Sequence, residues 1–541
     1  MQNNEYDVII IGAGATGAGT ARDCAMRGLK TLLVERYDFT AGATGRNHGL
    51  LHSGARYAVT DQESAAECIS ENMILRRIAR HCVEPTGGLF VTLPEDDLAY
   101  QELFISSCLK AGIEARAIDP AEARRIEPAV NPDIIGAVTV PDGAVDPFRL
   151  TTANVVDAKA HGADVLTDHK VEGLVMRGGR VCGVTLRRQG EYDTFDVEAR
   201  LVINAGGIWA HGIAAMAGIN INMFPAKGAL LIFGHRVNNV VINRCRKPAD
   251  ADILVPGDTI SLIGTTSSRV PYEEVDNMEV TQAEVDTLLR EGIKIAPSLA
   301  YTRILRAYAG VRPLIAADND PTGRSISRGI VCMDHAERDG VEGIITISGG
   351  KLMTYRLMAE IAADTACRKL GVEAACRTAE LPLPGSEPGQ KPEKRRFRKS
   401  HIIELSANQL AAQGRHGSMM DNVSYDPDTD DTAVCECEQV SLGETKYAIE
   451  RLEVNNLINL RRRTRLGMGT CQGSICACRA SAELARRFGA GRALDDLASF
   501  VNERWKGMMP VAWGQTLVEA NFSKWIYQGV CGLAPVNTEQ H

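Results

Sequence analysis

The chain is 541 residues long, with 45% apolar and 24% charged residues and a formal net charge of −8. That is material for roughly two to four soluble domains with sizeable cores, and the negative balance gives no reason to expect a nucleic-acid partner, so any anionic ligand must be held by local cations. No apolar run approaches the ~18 residues a membrane span needs, and the acidic start at Met1-Gln2-Asn3-Asn4-Glu5 runs straight into the first strand, so neither a span nor a secretory signal is expected.

The first elements carry the clearest signal. Val8-Ile9-Ile10-Ile11 reads as a buried parallel strand, followed by Gly12-Ala13-Gly14-Ala15-Thr16-Gly17, a helix to Gly28 and a second apolar run, Leu32-Leu33-Val34, that ends at Glu35 and Arg36. Strand, glycine turn, helix and strand in this order are the setting of a dinucleotide fingerprint. Gly12 permits the tight turn, Gly14 lets backbone approach a pyrophosphate, and Gly17 brings helix and strand close. The helix amino terminus offers free N–H groups to phosphate, and Glu35 can accept from ribose hydroxyls. Taken alone, this stretch does not separate NAD from FAD.

From residue 41 to 57 small residues, glycines and hydroxyls without period predict an ordered loop holding Thr44, Gly45, Asn47, His48, Gly49, Leu50 and His52. Helices are expected at 61–82, 96–111, 120–126 and 147–160. Lys170 to Arg188 alternates around Gly178-Gly179 as a hairpin, and Leu201-Val202-Ile203-Asn204-Ala205-Gly206 reads as a buried strand. Strands and turns follow from Phe224, a capped helix at 281–296 with Thr281 and Glu284 as a capping box, the strand Ile344 to Ser348 ending at Gly349-Gly350-Lys351, and a helix from about Met353 to Leu370. A nucleotide-binding α/β half is thus interleaved with an antiparallel half over 1–378. Residues 379–431, with the basic run Lys394 to Lys399, read as a linker holding a short helix at 400–413. Residues 432–488 form a small cysteine domain, and 489–541 a tail rich in tryptophan (Trp505, Trp513, Trp525) that suits either a docking surface or an aromatic core.

Most of the fifteen cysteines sit singly and read as reduced core residues. Cys435, Cys437, Cys471, Cys476 and Cys478 are grouped, with one helix at 443–451 and a turn at Asn455-Asn456 between the two sets. Two thiolate pairs would supply four sulfurs for a [2Fe–2S] cluster or a zinc ion, with incidental core thiols as the bland alternative. A single residue between Cys435 and Cys437 is unusual for zinc. The expected ligands are Cys435, Cys437, Cys471 and Cys476, with Cys478 the alternative for the fourth place. Gly467, Gly469 and Gly473 would let amides reach the sulfurs, and Arg461 to Arg463 would offset their charge.

Arg312, between Gly310 and Pro313, and Arg328, after an acidic turn, are either surface arginines or a forked clamp for phosphate or carboxylate. His52 is either a proton acceptor or a core histidine.

Gly12-x-Gly14-x-x-Gly17 with Glu35, the 44–52 loop, Asn204-Ala205-Gly206 and Ser348-Gly349-Gly350-Lys351 together resemble the FAD-dependent oxidoreductases of the D-amino-acid-oxidase-like fold. Within these, His52-Ser53-Gly54-Ala55-Arg56-Tyr57, Gly264-Thr265-Thr266, Gly310-Val311-Arg312-Pro313-Leu314 and Gly350-Lys351-Leu352-Met353-Thr354-Tyr355-Arg356 resemble glycerol-3-phosphate dehydrogenases. The cysteine module resembles bacterioferritin-associated-ferredoxin-like [2Fe–2S] domains, so the whole chain is similar to the large A subunits of the anaerobic, respiratory glycerol-3-phosphate dehydrogenases. One departure is that the commoner His-Gly-Gly-Leu-Arg-Tyr is replaced here at two positions.

The resemblance implies an α/β fold: a FAD-binding Rossmann-type domain interleaved with an antiparallel-sheet substrate domain, plus a small helical iron–sulfur domain. It implies FAD rather than NAD, with Gly12, Ala13, Gly14, Thr16, Gly17, Glu35, Arg36, Thr44, Gly45, Asn47, His48, Gly49, Leu50, Val171, Ala205, Gly206, Gly349, Gly350, Lys351, Leu352, Met353 and Thr354 around the cofactor. FMN is a further candidate cofactor. Arg312 and Arg328 fall to the substrate phosphate, with Arg56 and Thr354 nearby. The implied reaction oxidises glycerol 3-phosphate at C2 to dihydroxyacetone phosphate, with His52 or a water near Arg312 as base. Electrons would then pass through the cluster to partner subunits and a membrane quinone, placing the chain in the cytoplasm at the inner membrane through its partners. Two rivals are a flavoenzyme for another anionic 2-hydroxy acid and an electron-transfer protein without its own chemistry.

Overall fold

The computed structural model describes residues 5–315, 329–387, 406–422, 426 and 429–533. β1 (Glu5–Ile11) leads into α1 (Ala15–Met26) and β2 (Thr31–Val34); β3 (Thr194–Asn204), β4 (Met223–Phe233), β5 (Ile304–Ile315), β6 (Ile344–Gly349) and α2 (Tyr355–Leu370) follow along the chain. The last third is helical: α3 (Leu457–Thr464), α4 (Cys476–Phe488), α5 (Ala490–Met508) and α6 (Gly514–Lys524).

β1 lies parallel between β2 and β3, with Val8 opposite both Thr31 and Leu201, and β3 pairs in parallel with β6. Val8, Ile9 and Ile10 have no exposed surface, because α1 and α2 cover one face of the sheet and the other packs on a second layer of apolar residues. Burial on both faces is what an unbroken apolar strand requires. The hairpin at His169–Arg177 and Arg180–Arg188 joins β3's outer end, and Gly178 and Gly179 take positive φ at its tip, as the sequence alternation predicts. A nine-stranded, largely antiparallel sheet forms the second body, built on the long pairing of β4 with β5 from Met223↔Ile315 to Phe233↔Ile304. The two sheets meet where β1, β3 and β6 end, and the main cavity opens there.

The expected helices at 120–126 and 147–160 form as Pro120–Ile126 and Pro147–Ala160, and the Thr281–Glu284 capping box forms at its helix. Asn455-Asn456, expected as a turn, instead starts a second helix: the Asn456 side chain accepts from Asn459 N at 2.9 Å and caps α3. The short helix of the expected linker is Ala407–His416, begun by a Ser406–Gln409 capping box. Its Arg415 and His416 both bond the buried Glu444, and Ala412, Phe500 and Tyr527 share one core with Cys435 and Cys476. The helical unit therefore takes in chain on both sides of 432–488. Trp513 and Trp525 lie on its outside, 42% and 64% exposed, rather than in a core. Residues 394–399 and Arg328 fall outside the described residues.

Candidate functional site

The cradle is made of backbone that tolerates no side chain. A Cβ on Gly12, which has φ +102°, would stand 2.7 Å from Ala205 O, and one on Gly17 would stand 1.8 Å from Gly12 O. The strand end, the helix start and the β3 turn are thereby pressed together. Gly14 precedes α1 without a side-chain cap, and no acidic residue sits in the first turn, so the helix dipole and its amides are left for an anion. Ala15 N donates to Thr44 Oγ1 at 3.0 Å, which fastens the 41–57 loop over the turn. Glu35 is half-buried and accepts from Ala13 N at 2.8 Å and Tyr37 N at 3.1 Å; burial raises its carboxyl pKa, and these amides oppose the rise.

Gly12, Gly14, Thr16, Glu35, Arg36, Thr44, Asn47, His48, Leu50, Val171, Ala205, Gly206, Gly349, Gly350, Lys351, Leu352 and Met353 line one cavity of about 810 Å3, together with His52, Arg56 and Arg312. Ala13, Gly17, Gly45, Gly49 and Thr354 stand behind its wall. Thr354 has no exposed surface, and its hydroxyl accepts from Lys351 N at 2.9 Å, so it shapes the Gly349-Gly350-Lys351 turn. The donor set and the glycine-lined, uncapped helix start fit a dinucleotide pyrophosphate.

Three cavity side chains are held by residues the sequence did not single out. Arg312 Nη2 donates to Thr265 Oγ1 at 2.5 Å and Nη1 to Ser267 Oγ at 3.3 Å, with its guanidinium laid over Gly228, where a Cβ would meet it at 2.6 Å. Arg56 Nη2 donates to the buried Asp252 at 2.9 Å and to Ala249 O at 3.0 Å, and its buried Nη1 has no partner among the described residues. Such an atom calls for an acceptor from a ligand. His52 Nδ1 accepts from Gly54 N at 2.8 Å. In the neutral ring that places the proton on Nε2, the opposite of what a base acting through Nε2 requires. Asp142, fully buried, accepts from Ser53 N at 2.7 Å and lies 3.8 Å from His52 Nδ1. The ammonium of Lys351 sits 4.8 Å from the centre of the Tyr57 ring. Asp142, Asp252, Thr265 and Ser267 come from distant strands and loops, and only the Gly-Thr-Thr string hinted at one of them.

The second constellation lies in the helical unit. Cys435 contacts Cys437 and Cys476, and Cys471 contacts the same two, so the four sulfurs close a ring. Cys478 is turned outward and contacts Cys531 instead. Amides of Gly467 and Glu438 donate to the Cys435 sulfur, and the Thr470 hydroxyl donates to Cys437 Sγ at 3.5 Å. Contact with Cys435 and Cys471 holds the Cys437 thiol far below its ordinary pKa, while the same kind of contact pushes Cys476 up. Gly469 is required here, since a Cβ would come within 2.6 Å of Cys437 Cβ. Among the described residues no group of three or more His, Cys, Asp or Glu side chains that could hold a metal ion is found. Arg462 and Arg463 do not serve the sulfurs: both pair with Asp38 of the flavin half, at 2.9 and 2.5 Å.

A family model described as FAD dependent oxidoreductase matches residues 7–356. Over 531 residues the chain is 62% identical to the A subunit of the anaerobic glycerol-3-phosphate dehydrogenase of Escherichia coli (strain K12), covering 97% of each. Over 525 residues it is 44% identical to the A1 subunit of the same enzyme from Haloferax volcanii, covering 94% of this chain and 88% of that one. Among solved structures, a glycerol-3-phosphate dehydrogenase from Bacillus halodurans complexed with FAD matches with a TM-score of 0.66 at 22% identity, covering 95% of this chain and 97% of that one. At that identity the likeness carries the fold.

Proposed function

The chain belongs to the FAD-dependent oxidoreductases, and within them to the family of anaerobic glycerol-3-phosphate dehydrogenase A subunits, and from that membership we propose that it oxidises sn-glycerol 3-phosphate to dihydroxyacetone phosphate. The observation that carries this is the pair of cavity guanidiniums, Arg312 and Arg56, in one chamber with the dinucleotide cradle. Arginine's planar fork suits a phosphate dianion. Arg312, braced by Thr265 and Ser267, and the unpartnered Nη1 of Arg56 bind the phosphate and leave C2 toward the cradle. Arg328 is kept as a further candidate for the same anion. FAD, when bound, supplies the two-electron acceptor for the C2 hydrogen. Lys351 and the amides of Gly349 and Gly350 add positive potential to that wall of the cavity. His52 orients the C2 oxygen through Nε2, and the hydroxyl proton leaves to a water near Arg312; for His52 to take that proton itself, its ring proton must first move to Nδ1, against the Gly54 amide.

The ring of Cys435, Cys437, Cys471 and Cys476 is proposed to hold a [2Fe–2S] cluster, which when bound supplies a one-electron relay. Four thiols with amide and hydroxyl donors aimed at their sulfurs support this. The relatives are named as single subunits of a larger dehydrogenase, which supports partner subunits here. Val518, Phe522 and Trp525, 58 to 64% exposed on and beside α6, offer them an apolar face. A quinone at the membrane is the proposed final acceptor, reached through those partners, since no helix among the described residues is long and apolar enough to cross a membrane.

The test is anaerobic. The purified FAD-loaded chain should bleach its flavin absorbance on adding glycerol 3-phosphate and reduce a dye. Arg312→Ala should keep FAD and raise KM about 100-fold, the loss of roughly 3 kcal/mol of charge-assisted bonding. Bleaching by a 2-hydroxy acid and not by glycerol 3-phosphate, or an unchanged KM in the variant, would sink the assignment.

A further inference from the structure

A second cavity, of about 1650 Å3, lies between the loop that carries Asn47 to Gly49 and the thiol-ring loop at Met468 and Gln472. Three of its wall arginines come from separate elements: Arg46 of the flavin loop, Arg306 on β5 and Arg461 on α3. Their side chains make no hydrogen bond or ion pair with any of the described residues. Arg306 is 7% exposed, its Nε is buried without a partner, and Gly507 of α5 is so close that a Cβ there would stand 3.0 Å from that nitrogen.

The charge does not balance. Arg306, Arg462 and Arg465 repel Arg461, Arg462 and Arg306 repel Arg46, and Glu503 is the carboxylate that all three share. Four other acids of the wall are paired elsewhere: Asp276 with Arg36, Glu84 with Arg236, and Asp146 and Asp258 with Arg149 and Arg465. Burial and its neighbours bring the Arg461 pKa down to about 9, which still leaves it charged at neutral pH. Three guanidiniums that share one nearby carboxylate leave positive charge in excess at this part of the wall, and Arg306 carries its share from a buried position, where an unpaired charge is disfavoured. Buried donors of this kind ask for an ion.

We infer that this cavity is a binding site for a phosphomonoester dianion, held by Arg46, Arg306 and Arg461 and separate from the substrate clamp. Such a dianion offsets the positive excess these three leave, and forked donors from three sides suit its oxygens. Arg312 and Arg56 do not line this cavity, and Arg306 and Arg461 do not line the other; Arg46 touches both. The phosphate could belong to a compact ester or free phosphate, or to a planar aromatic ligand, for which Tyr308 and Trp505 on the wall offer faces.

The experiment is calorimetry on the full-length, FAD-loaded chain at low ionic strength, with inorganic phosphate, riboflavin 5′-phosphate and riboflavin as probes, repeated in Arg312→Ala. The Arg312→Ala chain, with the substrate clamp broken, should still bind one equivalent of a phosphate probe, and in that background its Kd should rise at least tenfold in Arg306→Met and in Arg461→Met, while with Arg312 intact both changes leave FAD content and the KM for glycerol 3-phosphate as they are. Arg461→Lys, which keeps the charge, guards against a folding defect and should retain binding. Tighter binding of riboflavin 5′-phosphate than of phosphate, with riboflavin inert, would assign an aromatic ester; equal binding would assign a compact phosphate. Binding lost in Arg312→Ala, binding unchanged in both Met variants, no binding of any probe, or loss of FAD from the Met variants would each overturn the inference, the last because the arginines would then serve the dinucleotide's own phosphates.

Discussion

Around Gly12 and Gly17 the cradle is backbone pressed on backbone, with β1, α1 and β3 meeting at separations that no Cβ survives. Around Cys435 and Cys471 the ring is side chain on side chain, sulfur against sulfur, in a hairpin and loops joined by short helices. The first region owes its shape to an apolar sheet buried on both faces and keeps it whether or not a ligand arrives. The second brings together four thiols whose mutual contacts push their acidities apart, Cys437 down and Cys476 up. One region is thus set by what its backbone excludes and the other by how its side chains share protons. Between them lie Asp38 with Arg462 and Arg463, an ion-paired joint from one half to the other.

Changing a ring sulfur breaks the comparison most completely. Cys437→Ser should abolish iron binding and lower electron delivery to a partner-bound acceptor by at least about 100-fold, yet leave dye-linked oxidation of glycerol 3-phosphate within about twofold. Cys478→Ser should change neither, because that sulfur faces Cys531. Iron analysis and the two assays side by side decide it; equal loss in both assays would mean the ring serves the flavin half rather than an onward path.

The joint comes next. Burial would raise the Asp38 pKa, but Arg463 and Arg462 outweigh it and hold the carboxyl below its ordinary 3.8; Asp258 is held down in the same way by Arg465 and Arg149. A carboxyl depressed in the folded state adds stability above its unfolded pKa and loses it as pH falls below. Docking of the helical unit should therefore hold from neutral pH down to about 4 and weaken below it. Asp38→Asn leaves Arg463 buried without its anion and should cost roughly 3–5 kcal/mol at neutral pH. Limited proteolysis and thermal unfolding across pH would read both effects, and a variant as stable as the parent would show that the halves are held by apolar contact.

Much of the cradle is legible in the sequence because its determinants are local. Apolar run, glycine spacing and a terminal acid lie within one βαβ unit, and each glycine's need is set by a neighbour in the same unit or the adjacent strand. The ring is legible in its residues but not in its pairing. Cys476 and Cys478 are two apart on one helix, and only the fold shows that one faces inward and the other Cys531. Asp142, Asp252 and Ser267 could not be read at all, since each acts on a partner brought to it by sheet topology. Asn455-Asn456 misled because asparagine favours turns and helix caps for the same reason, a side chain that bonds nearby backbone.

In the cradle itself a smaller change suffices. Gly17→Ala puts a methyl group 1.8 Å from Gly12 O, so turn and helix must part. Overpacking of this kind costs about 1–3 kcal/mol, and FAD affinity should fall between tenfold and about 100-fold with the thiol ring intact. Equilibrium dialysis of FAD with iron analysis on the same sample tests whether the two regions respond independently.

The finest distinction concerns His52, which sits where cradle and substrate clamp meet. With Gly54 N donating to Nδ1, the neutral ring carries its proton on Nε2 and can only donate there. Glutamine keeps a donor near that point and has no useful basicity, so His52→Gln should retain activity within about tenfold, one hydrogen bond's worth, whereas His52→Ala should lose distinctly more. The acid limb of the parent's kcat/KM profile should then survive in His52→Gln. A base at this position predicts the reverse: both variants fall equally, and the limb near the usual imidazole value of about 6.5 disappears with the ring. That outcome would require the ring proton to sit on Nδ1, with the Gly54 amide turned away and Asp142, now 3.8 Å distant, drawn in as its acceptor.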